Sequence, residues 1–279
     1  MLPRKRHLPA GNSSGPLASR TWQPFPGVPE AEIFPEIRKA DVISSNSYLV
    51  RTGDCLILID PGGLASQAEL LAGEIAPCLA VGVPLVVLLT HAHVDHFAAM
   101  QEHPLFLNTG RVILAVHEIG ACAIETHDTA LTQAEVLGRE FVPLPVGIRF
   151  FAGDPCPSGT SVRTLGLPFG FSATLTRDNA CPAPGVTMER EVLTFPGGAQ
   201  AELYHTPGHS PDSTCIRIGR MLFIGDLLFA ANPGVAGLHG WDQDALIESL
   251  ERMLAVLKSG AVDIVCPGHG RIISSAQAC

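Results

Sequence analysis

One stretch joins an apolar run to a cluster of titratable side chains, and it reads Val83-Pro84-Leu85-Val86-Val87-Leu88-Leu89-Thr90-His91-Ala92-His93-Val94-Asp95-His96. The apolar run is typical of a fully buried strand. Burial of three imidazoles and a carboxylate beside it is costly unless a partner compensates, and a metal ion is the simplest partner. Because His91 and His93 are two residues apart, extended backbone places both side chains on one side. Asp95 and His96 can serve a second centre once the chain turns.

Three later motifs repeat the design of a strand followed by a polar residue in a glycine-bounded loop. They are His205-Thr206-Pro207-Gly208-His209-Ser210, Gly225-Asp226 and Pro267-Gly268-His269-Gly270. Glycine allows the backbone to approach a crowded centre. The combined set of nitrogen and oxygen donors divides naturally over two adjacent metal ions. The predicted ligands are His91, His93, Asp95, His96, His209, Asp226 and His269.

This order of motifs, from about Asn46 to Ile273, resembles the metallo-β-lactamase superfamily and most resembles its glyoxalase II-like branch. The pattern H-x-H-x-D-H with three downstream partners is specific, although each partner alone is a weak signal. The resemblance implies an α/β (α+β) fold, a four-layer αββα sandwich with the site at one edge of the paired sheets. It also implies a division of the ligands, with His91, His93 and His209 on one metal, Asp95, His96 and His269 on the other, and Asp226 bridging both.

The predicted chemistry is hydrolysis of a small ester, thioester or lactone. Two divalent ions can share a hydroxide, lower its pKa and polarise the substrate carbonyl. Asp95 and Asp226 are the predicted catalytic carboxylates, and Asp95 is placed to hold the proton of the nucleophile. Zinc is the expected metal, and an oxygen-containing site also accepts iron or manganese.

Two other functions are weighed against this one. The first is a mononuclear-iron enzyme of the persulfide dioxygenase type, which uses two histidines and the bridging aspartate. The second is a binding protein on a degenerate scaffold, which the complete ligand set disfavours.

The sequence departs from the patterns of known superfamily members at several positions, and these departures narrow the range of expected substrates. The chain ends ten residues after His269, so we expect no basic helical C-terminal domain of the kind that glyoxalase II enzymes use for glutathione. Lactonases of the superfamily often carry tyrosine three residues after the bridging aspartate, where this chain has Phe229. Phe97-Ala98-Ala99 follows the first motif where many members have small residues and a Gly-Gly pair. A glutathione thioester and a typical lactone are therefore both disfavoured.

Composition limits the class of partner. The chain has 279 residues, of which 46% are hydrophobic and 16% charged, which suits a compact globule. The net charge of −9 argues against a nucleic-acid surface. No apolar run has the length of a membrane span. Eight cysteines without a C-x-x-C pair favour a reduced, cytoplasmic protein that acts on a small molecule, and a homodimer is left open.

Two segments are expected to stand apart from the core domain of residues 31–279. Residues 1–30, rich in Pro, Gly and Ser, are predicted to be a flexible N-terminal arm, with docking of Trp22 and Phe25 on a neighbouring subunit as the alternative. Residues around 141–190 read as an irregular insertion, either a cover for the substrate or a structural embellishment. Within it, Phe169, Phe171 and Met188 either line an apolar pocket or anchor the loop.

We predict roles for four polar residues that are not among the seven metal ligands. Asp60, in Asp60-Pro61-Gly62-Gly63 after a predicted strand, is expected to support the metal loop by hydrogen bonding. His205 is predicted to be structural. His117 either faces the substrate or is a core histidine, and His239 lies where it would border the site.

Overall fold

Two mixed β-sheets pack face to face in the computed structural model, which describes residues 16–38, 43–153, 160–228 and 238–279. The strands are β1 Gln23–Pro24, β2 Glu32–Glu36, β3 Ser47–Arg51, β4 Leu56–Ile59, β5 Leu85–Leu88, β6 Val112–His117, β7 Ile148–Phe150, β8 Ser161–Gly166, β9 Ser172–Ala183, β10 Val186–Thr194, β11 Gln200–His205, β12 Thr214–Ile218, β13 Met221–Gly225, β14 Ile264–Pro267 and β15 Ile273–Ser274. The α-helices are α1 Ala65–Ala80, α2 Val94–Phe97, α3 Glu118–Thr126, α4 Ala134–Leu137, α5 Gln243–Lys258 and α6 Ser275–Ala278. Short 3-10 helices cover Ala98–Gln101, Pro168–Gly170 and Pro196–Gly198.

The N-terminal sheet has the strand order β1-β2-β3-β4-β5-β6-β7. Strands β1 to β4 pair antiparallel, whereas β4 to β7 pair parallel. Helix α1 makes the crossover that a parallel β4–β5 pair requires. The carboxyl ends of β4, β5, β6 and β7 therefore meet at one edge of this sheet.

The C-terminal sheet has the strand order β15-β14-β13-β12-β11-β10-β9-β8. All its pairs are antiparallel except β13–β14, which α5 connects. Ile218 opposes Met221, so Gly219 and Arg220 form a tight hairpin between β12 and β13. Because β13 and β14 are parallel, their carboxyl ends also lie side by side.

Three apolar layers hold the elements together. The inner layer lies between the sheets and includes Ile57 and Val86 of the first sheet and Leu203 and Phe223 of the second. Helix α1 covers the outer face of the N-terminal sheet. Helix α5 covers the outer face of the C-terminal sheet through residues such as Met253. This arrangement confirms the four-layer αββα sandwich of mixed α/β structure.

The prediction that residues 141–190 are irregular is wrong. The segment contains β7, β8, β9 and most of β10, and β9 pairs with β10 and β8 to extend the C-terminal sheet. The three apolar residues do not share a pocket, because Met188 packs under α5, Phe171 packs against the inner layer and Phe169 is 42% exposed. The description of this segment as an insertion stays a prediction.

The second half of the predicted arm packs against the body. Strand β1 pairs with β2, and Phe25 is buried in the inner layer. The Trp22 indole donates to Glu74 at 2.8 Å, and the Arg51 guanidinium lies over its ring. Residues 16–30 are therefore not a free arm, and Trp22 and Phe25 contact their own chain. Residues 1–15 lie outside the described part of the structure.

The cysteines in the described ranges are all free, and half of those in the whole sequence are buried. Cys55, Cys78, Cys215 and Cys266 are buried, and every cysteine within these ranges is a free thiol; Cys156 lies outside them. Burial raises the pKa of Cys55 and of Cys215 to about 12. No helix in the described ranges has the length and apolar character needed to span a membrane.

Candidate metal centre

All seven predicted ligands lie at the edge where the carboxyl ends of strands from both sheets meet. His91 and His93 follow β5, while Asp95 and His96 lie on the short helix α2. The downstream residues follow three strands of the other sheet, with His209 after β11, Asp226 after β13 and His269 after β14. Each of the seven residues is at least nine-tenths buried. The sandwich thus brings together residues separated by up to 178 positions in the chain.

His91, His93 and His209 form the first cluster, called here the imidazole half. One ring nitrogen from each lies within 4.8 Å of the others, close enough to share a metal ion. His93 Nδ1 and His209 Nε2 are 3.0 Å apart. The rings stand nearly edge to face, with centroids of His91 and His209 5.0 Å apart. Three converging nitrogens in this arrangement suit zinc and other divalent metals.

Asp95, His96 and His269 form the second cluster, called here the carboxylate half. Their ligand atoms also lie within 4.8 Å of one another. His269 Nε2 is 3.0 Å from Asp95 Oδ2, and His96 Nε2 is 3.8 Å from the same oxygen. This half therefore offers mixed nitrogen and oxygen donors.

Asp226 lies between the two halves. Its Oδ2 is 3.7 Å from His209 Nε2 of the imidazole half and 3.4 Å from His269 Nε2 of the carboxylate half. Its Oδ1 is 3.4 Å from His96 Nε2. A carboxylate with contacts on both sides has the position that a bridging ligand needs.

Asp60 orients the first motif from behind, which confirms the predicted supporting role. Its carboxylate accepts from the Thr90 backbone N–H at 2.8 Å and from the Thr90 hydroxyl at 2.7 Å. Asp60 Oδ2 is also 2.9 Å from His96 Nδ1, so His96 Nε2 points toward the centre. The Thr90 hydroxyl lies 3.1 Å from His91 Nδ1. Asp60 adopts a left-handed φ of 49°, a conformation that short polar side chains tolerate.

Two glycines are required by the crowding of the centre. A Cβ at Gly268 would lie 2.4 Å from Asp226 Oδ1 and 2.7 Å from His96 Cε1. A Cβ at Gly225 would lie 2.6 Å from the Thr90 hydroxyl oxygen, and this residue has a φ of +48°. Any side chain at either position would displace a predicted ligand or its support.

The two halves differ in electrostatics. Burial, reinforced by neighbouring imidazoles, lowers the pKa of His91 well below its ordinary value and that of His93 to about 3. Burial also opposes the charged form of His96, but Asp95 and Asp60 outweigh it and raise the pKa of His96 well above its ordinary value. Burial alone would raise the pKa of Asp226, yet the nearby His269 and His96 lower it. The carboxylate half thus attracts positive charge.

Several ligand atoms of the centre are buried without meeting the geometric criteria of a hydrogen bond. His91 Nε2, His96 Nε2 and Asp226 Oδ1 are buried without a hydrogen-bond partner among the described residues. The same three residues place ligand atoms within 4.8 Å of one another. Buried polar atoms are rarely left unsatisfied, because each costs free energy of desolvation. The donor set and its burial therefore suit divalent cations.

The other predicted residues lie outside this constellation. His205 Nε2 donates to the Pro211 carbonyl at 2.8 Å, in agreement with a structural role. His117 stacks on His205 with ring centroids 4.3 Å apart, and its Nδ1 accepts from the Ile119 N–H as the cap of α3. Burial lowers the pKa of His117 to about 3, as expected for a neutral core histidine. His239 is exposed and joins no cluster, and Phe229 lies outside the described residues.

Asp212 supports the first motif by a hydrogen bond, and its sequence context did not indicate this. Its buried Oδ2 accepts from the Ala92 N–H at 2.7 Å and so fixes the loop between His91 and His93. A Cβ at Gly120 of α3 would lie 2.3 Å from the same oxygen. The only available signal was its position three residues after His209, which does not distinguish it from an ordinary turn aspartate.

Comparisons with known proteins agree with this geometry. The chain is 27% identical over 231 residues to the acyl-coenzyme A thioesterase MBLAC2 of Gallus gallus, covering 81% of this chain and 72% of that protein. It is 25% identical to the probable metallo-hydrolase YqgX of Bacillus subtilis, covering 82% of this chain and 86% of that protein. A solved metallo-beta-lactamase from Pontibacter korlensis shares the fold at a TM-score of 0.53 and 19% identity, covering 92% of this chain and 95% of that one.

A family model supplies the assignment. The model of the metallo-beta-lactamase superfamily matches residues 40–269, a range that includes every predicted ligand. The described αββα sandwich and the cluster of histidines and aspartates at its edge are those that the sequence motifs predict. The chain belongs to the metallo-beta-lactamase superfamily, a superfamily of metal-dependent hydrolases.

Proposed function

We propose that this protein is a dinuclear metal hydrolase of the glyoxalase II-like branch that cleaves a small-molecule thioester or ester. The observation that carries the proposal is the position of Asp226, within 3.7 Å of a histidine in each half. Two complete clusters joined by a carboxylate favour two ions over one. The Gallus gallus relative is an acyl-coenzyme A thioesterase, which favours a thioester among the candidate substrates.

Each half has its own role in this proposal. His91, His93 and His209 would hold one ion, and Asp95, His96 and His269 would hold the other. Asp226, which lies between the two halves, would contribute to both. When bound, the ions supply Lewis-acid polarisation of the substrate carbonyl and activation of water. Zinc is the proposed metal, with iron or manganese as replacements that the mixed donors also allow.

The chain's own residues provide positioning and proton transfer. Asp95 is 6% exposed, so its carboxylate faces the site with little competing solvent. We assign to Asp95 the proton released by the attacking water. Asp60 keeps the inward nitrogen of His96 in place, and Asp212 fixes the loop between His91 and His93. These hydrogen bonds keep the ligand geometry rigid through the reaction.

Metal quantification paired with a substrate screen tests the proposal. Protein purified without chelators is analysed for zinc, iron and manganese, then assayed on thioesters, lactones and phosphodiesters. We expect about two zinc ions per chain. We also expect the protein to hydrolyse at least one thioester, and a chelator to abolish that hydrolysis. One iron per chain, with oxygen consumption on a persulfide, would instead establish the mononuclear-iron alternative.

A further inference from the structure

Ion pairing is unevenly distributed over this acidic chain, whose net charge is −9. Most arginines in the described ranges have a carboxylate oxygen within 4.0 Å, and these are Arg20, Arg51, Arg149, Arg163, Arg177, Arg190, Arg217, Arg220 and Arg252. Across residues 16–38, 43–153, 160–228 and 238–279, the cations outside any ion pair are Arg38, Arg111, Arg139, Lys258 and Arg271. Three of these, Arg38, Arg139 and Arg271, belong to segments that border the carboxylate half.

Arg139 is the best defined of the three. Its Nη1 donates to the Ile43 carbonyl at 3.3 Å. A Cβ built on Gly63 would lie 2.8 Å from this Nη1 and 3.1 Å from the Cα of Asp95. The half-buried guanidinium therefore lies beside the backbone of a predicted ligand, and a carbonyl is its only hydrogen-bond acceptor among the described residues.

Arg38 and Arg271 flank the loop that carries His269. The Arg38 N–H donates to Asn46 Oδ1 at 2.8 Å, and Asn46 Nδ2 donates to the Gly270 carbonyl at 2.9 Å. Arg271 follows directly and is exposed. Arg38 Nε is buried without a hydrogen-bond partner in the described structure. Both backbones are thus tied to one loop of the metal centre.

Segment 43–46 connects these positions to the centre. The Ser45 N–H donates to the Asp95 carbonyl at 3.0 Å, and the Asn46 N–H donates to the Gly268 carbonyl at 2.6 Å. Unpaired cations beside a site for divalent metal ions repel those ions, and an anion bound nearby would reduce the repulsion. Asp95, Asp226 and the supporting Asp60 carry three negative charges, fewer than the four positive charges of two divalent ions. A neutral substrate would leave this excess positive charge in place.

We propose that Arg139 and Arg271, supported by Arg38, form an anion-binding rim for a carboxylate or phosphate group of the substrate. Guanidinium groups bind such oxygens through paired, charge-assisted hydrogen bonds. The inference rests on the proposed hydrolysis and specifies its substrate class, a thioester or ester that carries an anionic group. The role proposed for these arginines is to bind the anionic group, while the metal ligands would perform the chemistry.

Matched substrates and variants test the rim. The probes are acetyl-coenzyme A, the succinyl thioester of N-acetylcysteamine and the neutral acetyl thioester of N-acetylcysteamine. The proteins are the metal-loaded wild type, R139Q, R271Q and the control R111Q. Arg111 is also outside any ion pair, but it contacts the Leu79 carbonyl and the Phe169 ring at the opposite end of β6.

We expect R139Q and R271Q to raise KM for anionic probes about tenfold each, with kcat and metal content retained. KM for the neutral probe should change less than about twofold, and added salt should weaken only the anionic probes. An effect confined to acetyl-coenzyme A identifies phosphate, and one confined to the succinyl thioester identifies carboxylate. Equal effects on neutral and anionic probes, or the same effect in R111Q, would overturn the rim.

Binding measured by calorimetry separates this inference from the proposed function. If the wild type hydrolyses no thioester, the proposed function fails. Salt-sensitive binding of acetyl-coenzyme A that R139Q weakens and R111Q does not would still support the rim. If hydrolysis occurs and R139Q binds every probe as the wild type does, the rim is wrong and the hydrolase stands.

Discussion

The imidazole half and the carboxylate half lie side by side, yet the chain builds them in opposite ways. The imidazole half places three neutral nitrogens together, and burial keeps the pKa of His93 as low as about 3. The carboxylate half places Asp95 beside His96 and His269, whose pKa values are raised by the surrounding carboxylates against the effect of burial. The carboxylate half therefore favours a protonated imidazole at His96, whereas the imidazole half disfavours one at His91. The two halves would therefore hold cations in different electrostatic environments. Asp226 lies within reach of both.

The largest effect is expected from D226A, which removes the residue common to both halves. Loss of a contact to each cluster should lower metal content and reduce thioester hydrolysis by at least about a thousandfold, since several kcal/mol of transition-state stabilisation depend on the ions. Metal analysis and kinetics check this, with circular dichroism to show that the fold is retained. D263N, at an exposed carboxylate paired with Arg220, is the control. Full activity in D226A would refute the shared position of Asp226.

A smaller effect is expected from D60N, which tests how much the hydrogen bonds of Asp60 contribute to metal affinity. Asparagine tolerates the left-handed φ and can still accept from the Thr90 N–H, but it removes the charge beside His96 Nδ1. Metal affinity should fall by about 10- to 100-fold. A competition titration with a chelator measures it, and D54N in the exposed turn before β4 is the control. Unchanged affinity would mean that the ring of His96 is held by packing alone.

The mildest test uses pH on the metal-free protein. His93 has a lowered pKa, so its contribution to stability is complete above the ordinary value of 6.5 and is lost as pH falls toward about 3. His96 has a raised pKa, so its contribution is complete below 6.5 and is lost as pH rises through the folded value. Imidazole nitrogen NMR at pH 7 should show His96 protonated and His91 and His93 neutral. Titration of all three together near 6.5 would remove the distinction between the halves.

Motif spacing predicted the contents of the centre better than its surroundings. The first motif follows an apolar strand and contains His91, His93, Asp95 and His96. Because metal binding needs several donor side chains close together, this short spacing identifies them from the local sequence. Asp60 was also recognisable, because a polar residue at the end of a buried strand needs a partner. Strands β8 and β9 were not predicted, because prolines and glycines flank them, β8 is mostly exposed, and the burial of β9 depends on its pairing with β10.

By itself, the sequence determined the types and order of the predicted ligands, because metal-donor chemistry is a property of local stretches. It indicated the αββα fold class through the resemblance that the order of motifs carries. Tertiary structure alone decided that Asp212 fixes the Ala92 N–H and that Arg139 lies beside Asp95 and Gly63. It also decided that residues 16–30 complete the first sheet and its core. These contacts join residues distant in the chain, and their free energy depends on burial and charge that only the packed sheets create.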